Sequence, residues 1–171
     1  MLIILSVSIR PWRIEDAPAL ATIANNRNVQ ANLRDGFPYP YTVDDALSFL
    51  RSMIDADPHS VYAFAILVDG QLAGSIAAYR KENIHSCTAE LGYYVGERYW
   101  GQGIATKAVH EICQLLFKST NLLRIFAEPF AYNAASCRVL EKNGFMYEGT
   151  LRHNAVKNGA VLDMKMYALT R

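Results

Sequence analysis

The sequence predicts a mixed α/β domain: one central sheet of about seven mostly antiparallel strands, flanked by about four helices. Three observations carry that expectation. Apolar stretches of strand length alternate with stretches of helical period in the order β-α-α-β-β-β-α-β-α-β-β. Two turn dipeptides, Asp69-Gly70 and Asn158-Gly159, each join two apolar runs in the manner of a hairpin. A length of 171 residues with 51% hydrophobic and 19% charged side chains suits one domain with a full core, and we expect a single domain over residues 1–171.

Each element has its own local reason. The opening "MLIILSVSIRP" has no basic leader segment and only a short apolar run, so it reads as strand rather than secretion signal, with Val7 to Trp12 as the first strand. In "EDAPALATIANN", Ala17, Leu20, Ala21 and Ala24 share one helical face behind Asp16. Leu33 to Thr42 is a loop by its glycine and two prolines. Thr42 then caps a second helix with Asp45 in the capping-box position, and Val43, Ala46, Leu47, Leu50 and Ile54 mark its buried face. "VYAFAILV" and "LAGSIAAY" form the first hairpin, and "TAELGYYVG" the next strand. Ala105, Val109, Ile112, Cys113, Leu116 and Phe117 stripe a long helix. "LLRIFAEP" is a strand ended by Pro129. "AASCRVLEKNG" is a helix between Asn133 as N-cap and Gly144 just past its end, and a closing hairpin follows.

Composition narrows the function. A net charge of +1 offers no bulk attraction to nucleic acid or to a membrane surface, so neither is expected as a partner. No apolar run approaches the roughly 18 residues of a membrane span. Cys87, Cys113 and Cys137 are odd in number and widely spaced, which suits a reducing cytoplasm better than a disulfide framework. No His/Cys pair has zinc-ligand spacing, and no metal is expected.

The stretch "RYWGQGIAT", Arg98 to Thr106, sets two glycines directly before a helix. A bare backbone leading into the positive end of a helix is a place to hold phosphate. A dinucleotide fingerprint fails because the third glycine position is Thr106, and a P-loop fails because Gly103 is followed by Ile104-Ala105. A plain strand-to-helix turn would also use two glycines.

Three features together go further: Arg-x-x-Gly-x-Gly at residues 98–103; "NAASCRVLEKNGF" with Asn133, Ser136, Lys142, Gly144 and Phe145; and the tail "YEGTLR" followed by "NG" and "YAL". With these the chain resembles the GNAT superfamily of acetyl-CoA-dependent N-acetyltransferases. More narrowly it resembles the ribosomal-protein-alanine N-acetyltransferase branch, the RimJ/RimL type. The resemblance runs from "IRPWRIEDAPAL" to "MYALTR".

The resemblance implies that the strand before the glycines carries a bulge and splays from its neighbour. The pantetheine arm of acetyl-CoA then pairs with backbone groups of Tyr93, Tyr94 and Val95. It places the pyrophosphate over Gly101, Gln102, Gly103, Ile104, Ala105 and Thr106, with Arg98 as a further phosphate contact or a solvated side chain, and adds Lys142 to the cofactor residues. Trp100 reads as packing. Asn133 is a helix cap and, by resemblance, a pantetheine contact. Ser136 is, by resemblance, the group that meets the leaving thiolate, or else a serine bonded back to its helix. Many relatives carry a tyrosine acid four residues before the Gly-Phe glycine; this chain has Leu140 there.

Direct attack on a thioester needs a neutral amine. An α-amine of pKa about 7.7 to 8.0 is roughly one-tenth neutral at pH 7, whereas a lysine at about 10.4 is neutral only a few times in ten thousand. Modest help suffices for an α-amine. Glu90 is the first candidate base, with a salt-bridge role as the alternative reading, and Glu148 is the second. A backbone amide near Tyr94 is the expected oxyanion donor. The acceptor pocket is expected along Leu33 to Thr42, with Phe37, Tyr39 and Tyr41 as an aromatic wall and Asp35 its only acid, and around the turn Lys157 to Ala160. The acceptor is a protein N-terminus or a small amine, such as a polyamine, amino acid or antibiotic. A catalytically silent acyl-CoA-binding module is the competing class, and a homodimer is compatible with the sequence.

Overall fold

The two turn dipeptides build the sheet from both ends. Asp69 and Gly70 have φ of 49° and 79°, and Asn158 and Gly159 have 50° and 77°. Both central residues are left-handed in each case, the turn geometry that matches the twist of paired strands. The first turn joins β2 (Val61–Val68) to β3 (Gln71–Arg80) and the second joins β6 (Met146–Lys157) to β7 (Ala160–Thr170). With β1 (Val7–Pro11), β4 (Thr88–Val95) and β5 (Arg124–Ala127) they form one seven-stranded sheet in the order β1-β2-β3-β4-β5-β7-β6. All neighbours are antiparallel except β4 and β5. This is the mixed, mostly antiparallel sheet expected from the sequence. The computed structural model describes residues 5–171; the first four residues of the apolar opening expected as strand lie outside the described residues.

Among the described residues five α-helices flank the sheet: α1 (Ala17–Ala24), α2 (Arg27–Ala31), α3 (Val43–Ile54), α4 (Ile104–Ser119) and α5 (Ala134–Lys142). The short α2 was not anticipated. Asn26 interrupts the expected helix because its side chain accepts from the amides of Asn28 and Val29 and so starts a new one. The box at Thr42 forms as expected: its hydroxyl accepts from the Asp45 amide, and Asp45 accepts in return from the Thr42 amide at 2.8 Å. On α3, Ala46 and Leu50 are fully buried, but Val43 and Ile54 are 45% and 49% exposed, because the helix overruns the core at both ends.

The sheet separates two cores. One packs α4 and α5 against Ile66, Ile76, Leu91, Val95 and Ile125, with Val109, Ile112 and Leu116 of α4 at its centre. The other packs α1 and α3 with Trp12, Tyr41 and Leu72. The period of two along β4 sends Tyr93 to the first core and Tyr94 to the second. Among the described residues no helix is long and apolar enough to cross a membrane, and no group of three or more His, Cys, Asp or Glu stands together as metal ligands.

Candidate active site

The sheet opens between β4 and β5. They pair only at Thr88–Arg124, Ala89–Ile125 and Glu90–Phe126. Beyond that point β4 continues to Val95 while β5 ends at Ala127, and the chain after β5 stays with β7, where the Pro129 carbonyl accepts from the Lys165 amide at 2.9 Å. Phe130 instead bridges to Met164 of β7. The other edge of β4 stays paired with β3 without any shift in register up to Gly74–Val95. The expected bulge is therefore absent from that pairing, and the fork comes from the early end of β5.

The phase of the ladder decides which groups face the fork. Cys87 C=O accepts from Leu123 and Arg124 on the β5 side, whereas Thr88 C=O accepts from Lys81 and the Gly96 amide donates to Ala73 on the β3 side. Backbone groups alternate between the two edges of a strand. Leu91, Tyr93 and Val95 thus turn theirs into the fork, while Gly92 and Tyr94 turn theirs to β3. A Cβ on Gly74 of β3 would lie 2.2 Å from the Tyr94 carbonyl oxygen, which fixes that side. This corrects the expectation for Tyr94: its backbone is neither an oxyanion donor nor a pairing edge, though its side chain does line the cleft. The Val95 carbonyl is capped by the Trp100 indole N–H at 2.8 Å, so Trp100 staples the end of β4.

At the mouth of the fork, Gly101 and Gly103 have φ of 72° and 75°, and a Cβ on either would meet nothing within 4 Å. Glycine is required here by the left-handed backbone rather than by crowding within the chain. Gly103 is the N-cap of α4 and no side chain caps that helix, which leaves the amides of Ile104, Ala105 and Thr106 open. Gly101, Gly103, Ile104, Ala105 and Thr106 line a cleft of about 930 Å³, joined by Asn133, Ser136, Lys142 and the unanticipated Arg138 of α5. Arg98 and Gln102 are not on its wall. The Arg98 guanidinium lies 4.5 Å over the Tyr99 ring and donates to its hydroxyl, and the Gln102 amide donates to the Arg98 carbonyl at 2.9 Å. Both brace the short turn Glu97–Tyr99.

On the α5 side, Asn133 Oδ1 accepts from the Ser136 amide at 3.1 Å, so the cap points Ser136 at the cleft. The Tyr93 hydroxyl lies within hydrogen-bond reach of two acceptors on one residue, Ser136 Oγ at 2.9 Å and the Ser136 carbonyl at 3.2 Å. Burial pushes the Tyr93 phenol well above its ordinary pKa, against a smaller lowering from Ser136. Leu140 is fully buried in the first core.

On the opposite face of β4, Glu90 lines the cleft between two cations. It accepts from Lys81 Nζ at 2.6 Å and from Arg34 of the loop after α2. Burial alone would raise its pKa, but these partners outweigh it and hold the carboxyl below the usual range. Arg34 also stands 4.0 Å from Glu128, a cleft residue at the end of β5 that the sequence reading missed. Its signal was its place: an acid just past the carboxyl end of a strand beside a parallel neighbour, where α/β sheets bind ligands.

The expected aromatic wall is only partly there. Phe37 lines the cleft and meets Tyr94 edge-on with centroids 5.3 Å apart. Tyr41 is buried in the second core, stacked on Phe37 at 4.8 Å, and burial pushes its hydroxyl up to about 12. Tyr39 is 41% exposed beneath Arg27, away from the cleft. Glu148 is also outside: it forms a two-pronged pair with Arg124 at 2.8 and 2.5 Å, at the end of β5 far from the opening. The turn Lys157 to Ala160 is not on the wall either. The buried Lys157 instead ties the closing hairpin to Asp35 of the loop at 3.1 Å, which neutralises the loop's one acid.

The description "Acetyltransferase (GNAT) domain" matches residues 6–146. The chain is 27% identical over 175 residues to the probable N-acetyltransferase YjcK of Bacillus subtilis (strain 168), covering 96% of this chain and 93% of that protein. It is 29% identical over 156 residues to the spermidine N(1)-acetyltransferase of Escherichia coli (strain K12), with 90% and 80% covered. Among solved structures it is similar to Mycobacterium smegmatis RimJ in complex with CoA-disulfide, with a TM-score of 0.87, 27% identity, and 96% of this chain and 81% of that one covered. The family match runs from before β1 to the start of β6 and so takes in both arms of the fork and both helices beside it. On that basis this chain belongs to the GNAT acetyltransferases and is an enzyme that acylates nitrogen.

Proposed function

We propose that the protein transfers the acetyl group of acetyl-CoA to a primary amine by direct attack, with the N-terminal α-amine of a protein or peptide as acceptor. The observation that carries the reading is the fork itself: an unpaired strand edge that leads from an uncapped helix start to a pair of carboxylates. The residues fit coenzyme A. The open amides of α4 and the cations Arg138 and Lys142 suit a polyphosphate, and the free edge of Leu91, Tyr93 and the Val95 N–H suits a pantetheine amide chain.

When bound, acetyl-CoA supplies an acetyl group already activated as a thioester. The chain's own residues do the rest. The Tyr93 and Val95 N–H groups are the donors that the fork offers to a carbonyl oxygen. The Asn133 side chain keeps its N–H₂ for the cofactor while its oxygen holds the Ser136 amide. The Ser136 hydroxyl offers a hydrogen bond to the departing thiolate; a thiol of pKa about 8.5 needs stabilisation more than a strong acid. On the far side Glu128, only loosely held at 4.0 Å from Arg34, takes the amine proton directly or through water. Glu90, bound by two cations, anchors the Arg34 loop.

Charge favours an α-amine over a polyamine. Along the cleft Glu90 and Glu128 face Arg34, Lys81, Arg138 and Lys142, so the wall has no negative excess to draw a polycation. The relative named as a spermidine acetyltransferase keeps the small-amine reading in the test. Thiol release from acetyl-CoA, measured with alanine- and serine-led peptides, free amino acids and spermidine, checks the proposal. Turnover led by the peptides supports it. Spermidine turnover with peptides at background replaces the acceptor class. Binding of acetyl-CoA with no turnover of any amine favours a silent acyl-CoA-binding module.

A further inference from the structure

We propose that Tyr93 is a positioning residue: its hydroxyl donates to Ser136 Oγ and so points the serine's own proton into the fork, toward the sulfur that leaves. The inference rests on the reading that Ser136 meets the leaving thiolate. Tyr93 has one proton and two contacts on the same residue, Oγ at 2.9 Å and the carbonyl at 3.2 Å. The carbonyl lies within α5, where the amide four residues on is its helical donor. The shorter contact is the one to Oγ, and only that arrangement leaves the serine's proton free for another acceptor. If Tyr93 gave its proton to the carbonyl, Ser136 would have to donate back to the phenol and would have nothing to offer the cleft.

The placement of Tyr93 supports this role. It stands on the face of β4 that packs on α4 and α5, with its ring against the first core, so a strand paired on its other edge fixes the hydroxyl. The tyrosine that α5 lacks at Leu140 is matched by a phenol that reaches the same helix from the sheet. Tyr93 keeps its proton throughout, because burial holds the phenol far from ionising. Ser136 keeps its proton as well. The N–C bond forms, the C–S bond breaks with its electron pair on sulfur, the amine's proton leaves on the Glu128 side, and the thiolate departs accepting a hydrogen bond from Ser136.

The test compares Tyr93→Phe, Ser136→Ala and the double variant in the full chain. Tyr93→Phe is expected to lower kcat about tenfold while the KM and Kd of acetyl-CoA stay unchanged. A second readout needs no turnover: the thiol of bound CoA, titrated by thiolate absorbance, moves up about one pH unit in Tyr93→Phe, as it does in Ser136→Ala. The double variant is expected to be no worse than Ser136→Ala alone, because Tyr93 acts only through the serine. If Tyr93→Phe does not fold, fluorotyrosine at position 93 keeps the shape and strengthens the donor, and the bound thiol then titrates lower. Wild-type behaviour of Tyr93→Phe beside an impaired Ser136→Ala, an unmoved thiol titration with fluorotyrosine, or additive losses in the double variant would each overturn the positioning role and leave the acetyltransferase reading standing. Wild-type behaviour of Ser136→Ala would remove the serine's role and this inference with it.

Discussion

The two walls of the fork are built by different means. The wall proposed to hold the cofactor is mostly backbone: the free edge of β4, two left-handed glycines and the open first turn of α4, with Asn133 and Ser136 fixed by a helix cap. The wall proposed to face the acceptor is mostly side chains drawn from separate segments: Arg34 and Phe37 from one loop, Lys81 after β3, Glu90 from β4 and Glu128 after β5. Backbone groups are positioned by the fold and change little when a side chain is replaced. A charge network depends on every member. The difference predicts that the cofactor wall tolerates most substitutions except those that enter the cleft, whereas the acceptor wall is sensitive to single charges and to pH.

The largest effect is expected at Ser136, the side chain proposed to meet the leaving thiolate. Ser136→Ala is expected to lower kcat by about a hundredfold with acetyl-CoA affinity unchanged, as steady-state kinetics beside calorimetric binding would reveal. An equal loss of binding would make Ser136 a ground-state contact and blur the distinction between the walls.

Next come the two carboxylates of the acceptor wall, which should part company with pH. Glu128→Gln is expected to cut kcat/KM for an α-amine about tenfold below the amine's pKa and to recover as pH rises, since an amine already neutral needs no base. Glu90→Gln should produce a pH-independent loss, because it frees the Arg34 loop rather than removing a proton acceptor. Reversed profiles would return Glu90 to the role of base.

A smaller effect mixes both means of construction. Asn133→Ala removes the cap of α5 together with the proposed cofactor contact, and is expected to cost about 1 kcal/mol in denaturant unfolding and to weaken acetyl-CoA binding. The smallest belongs to Glu148. Paired with Arg124 on the surface and outside the cleft, Glu148→Gln should change stability by less than about 1 kcal/mol and leave kinetics untouched. A kinetic defect there would mean that the acceptor reaches further along the sheet than the cleft wall does.

The same difference explains how much could be read from the sequence. The glycines before α4, the Asn133 cap, the Thr42 box and the two hairpin turns are local signals, each contained within a few residues. The acceptor wall is not local. Arg34 meets Glu90 across 56 positions, and no periodicity marks that pairing. Tyr39 and Tyr41 share a loop with Phe37, yet only Phe37 reaches the cleft, because Tyr41 is claimed by the second core. Tyr94 was misassigned by one residue: which backbone groups of β4 face the fork depends on hydrogen-bond phase, which only the paired structure fixes. The early end of β5 had its signal in Pro129, but the fork needs the parallel neighbour to be known as well.

The proposed phosphate site is the backbone at the start of α4, and Thr106→Glu would put a negative charge into it. Thr106 is the third residue of α4 and lines the cleft, where a glutamate suits the positive end of the helix and should leave the free protein as stable as before, or slightly more so. In thermal unfolding with and without acetyl-CoA, the wild type should gain about 2.7 kcal/mol at a ligand concentration of about one hundred times Kd. Thr106→Glu is expected to lose this gain with its unliganded Tm unchanged or raised. A variant stabilised by acetyl-CoA as strongly as the wild type would place the phosphate site elsewhere.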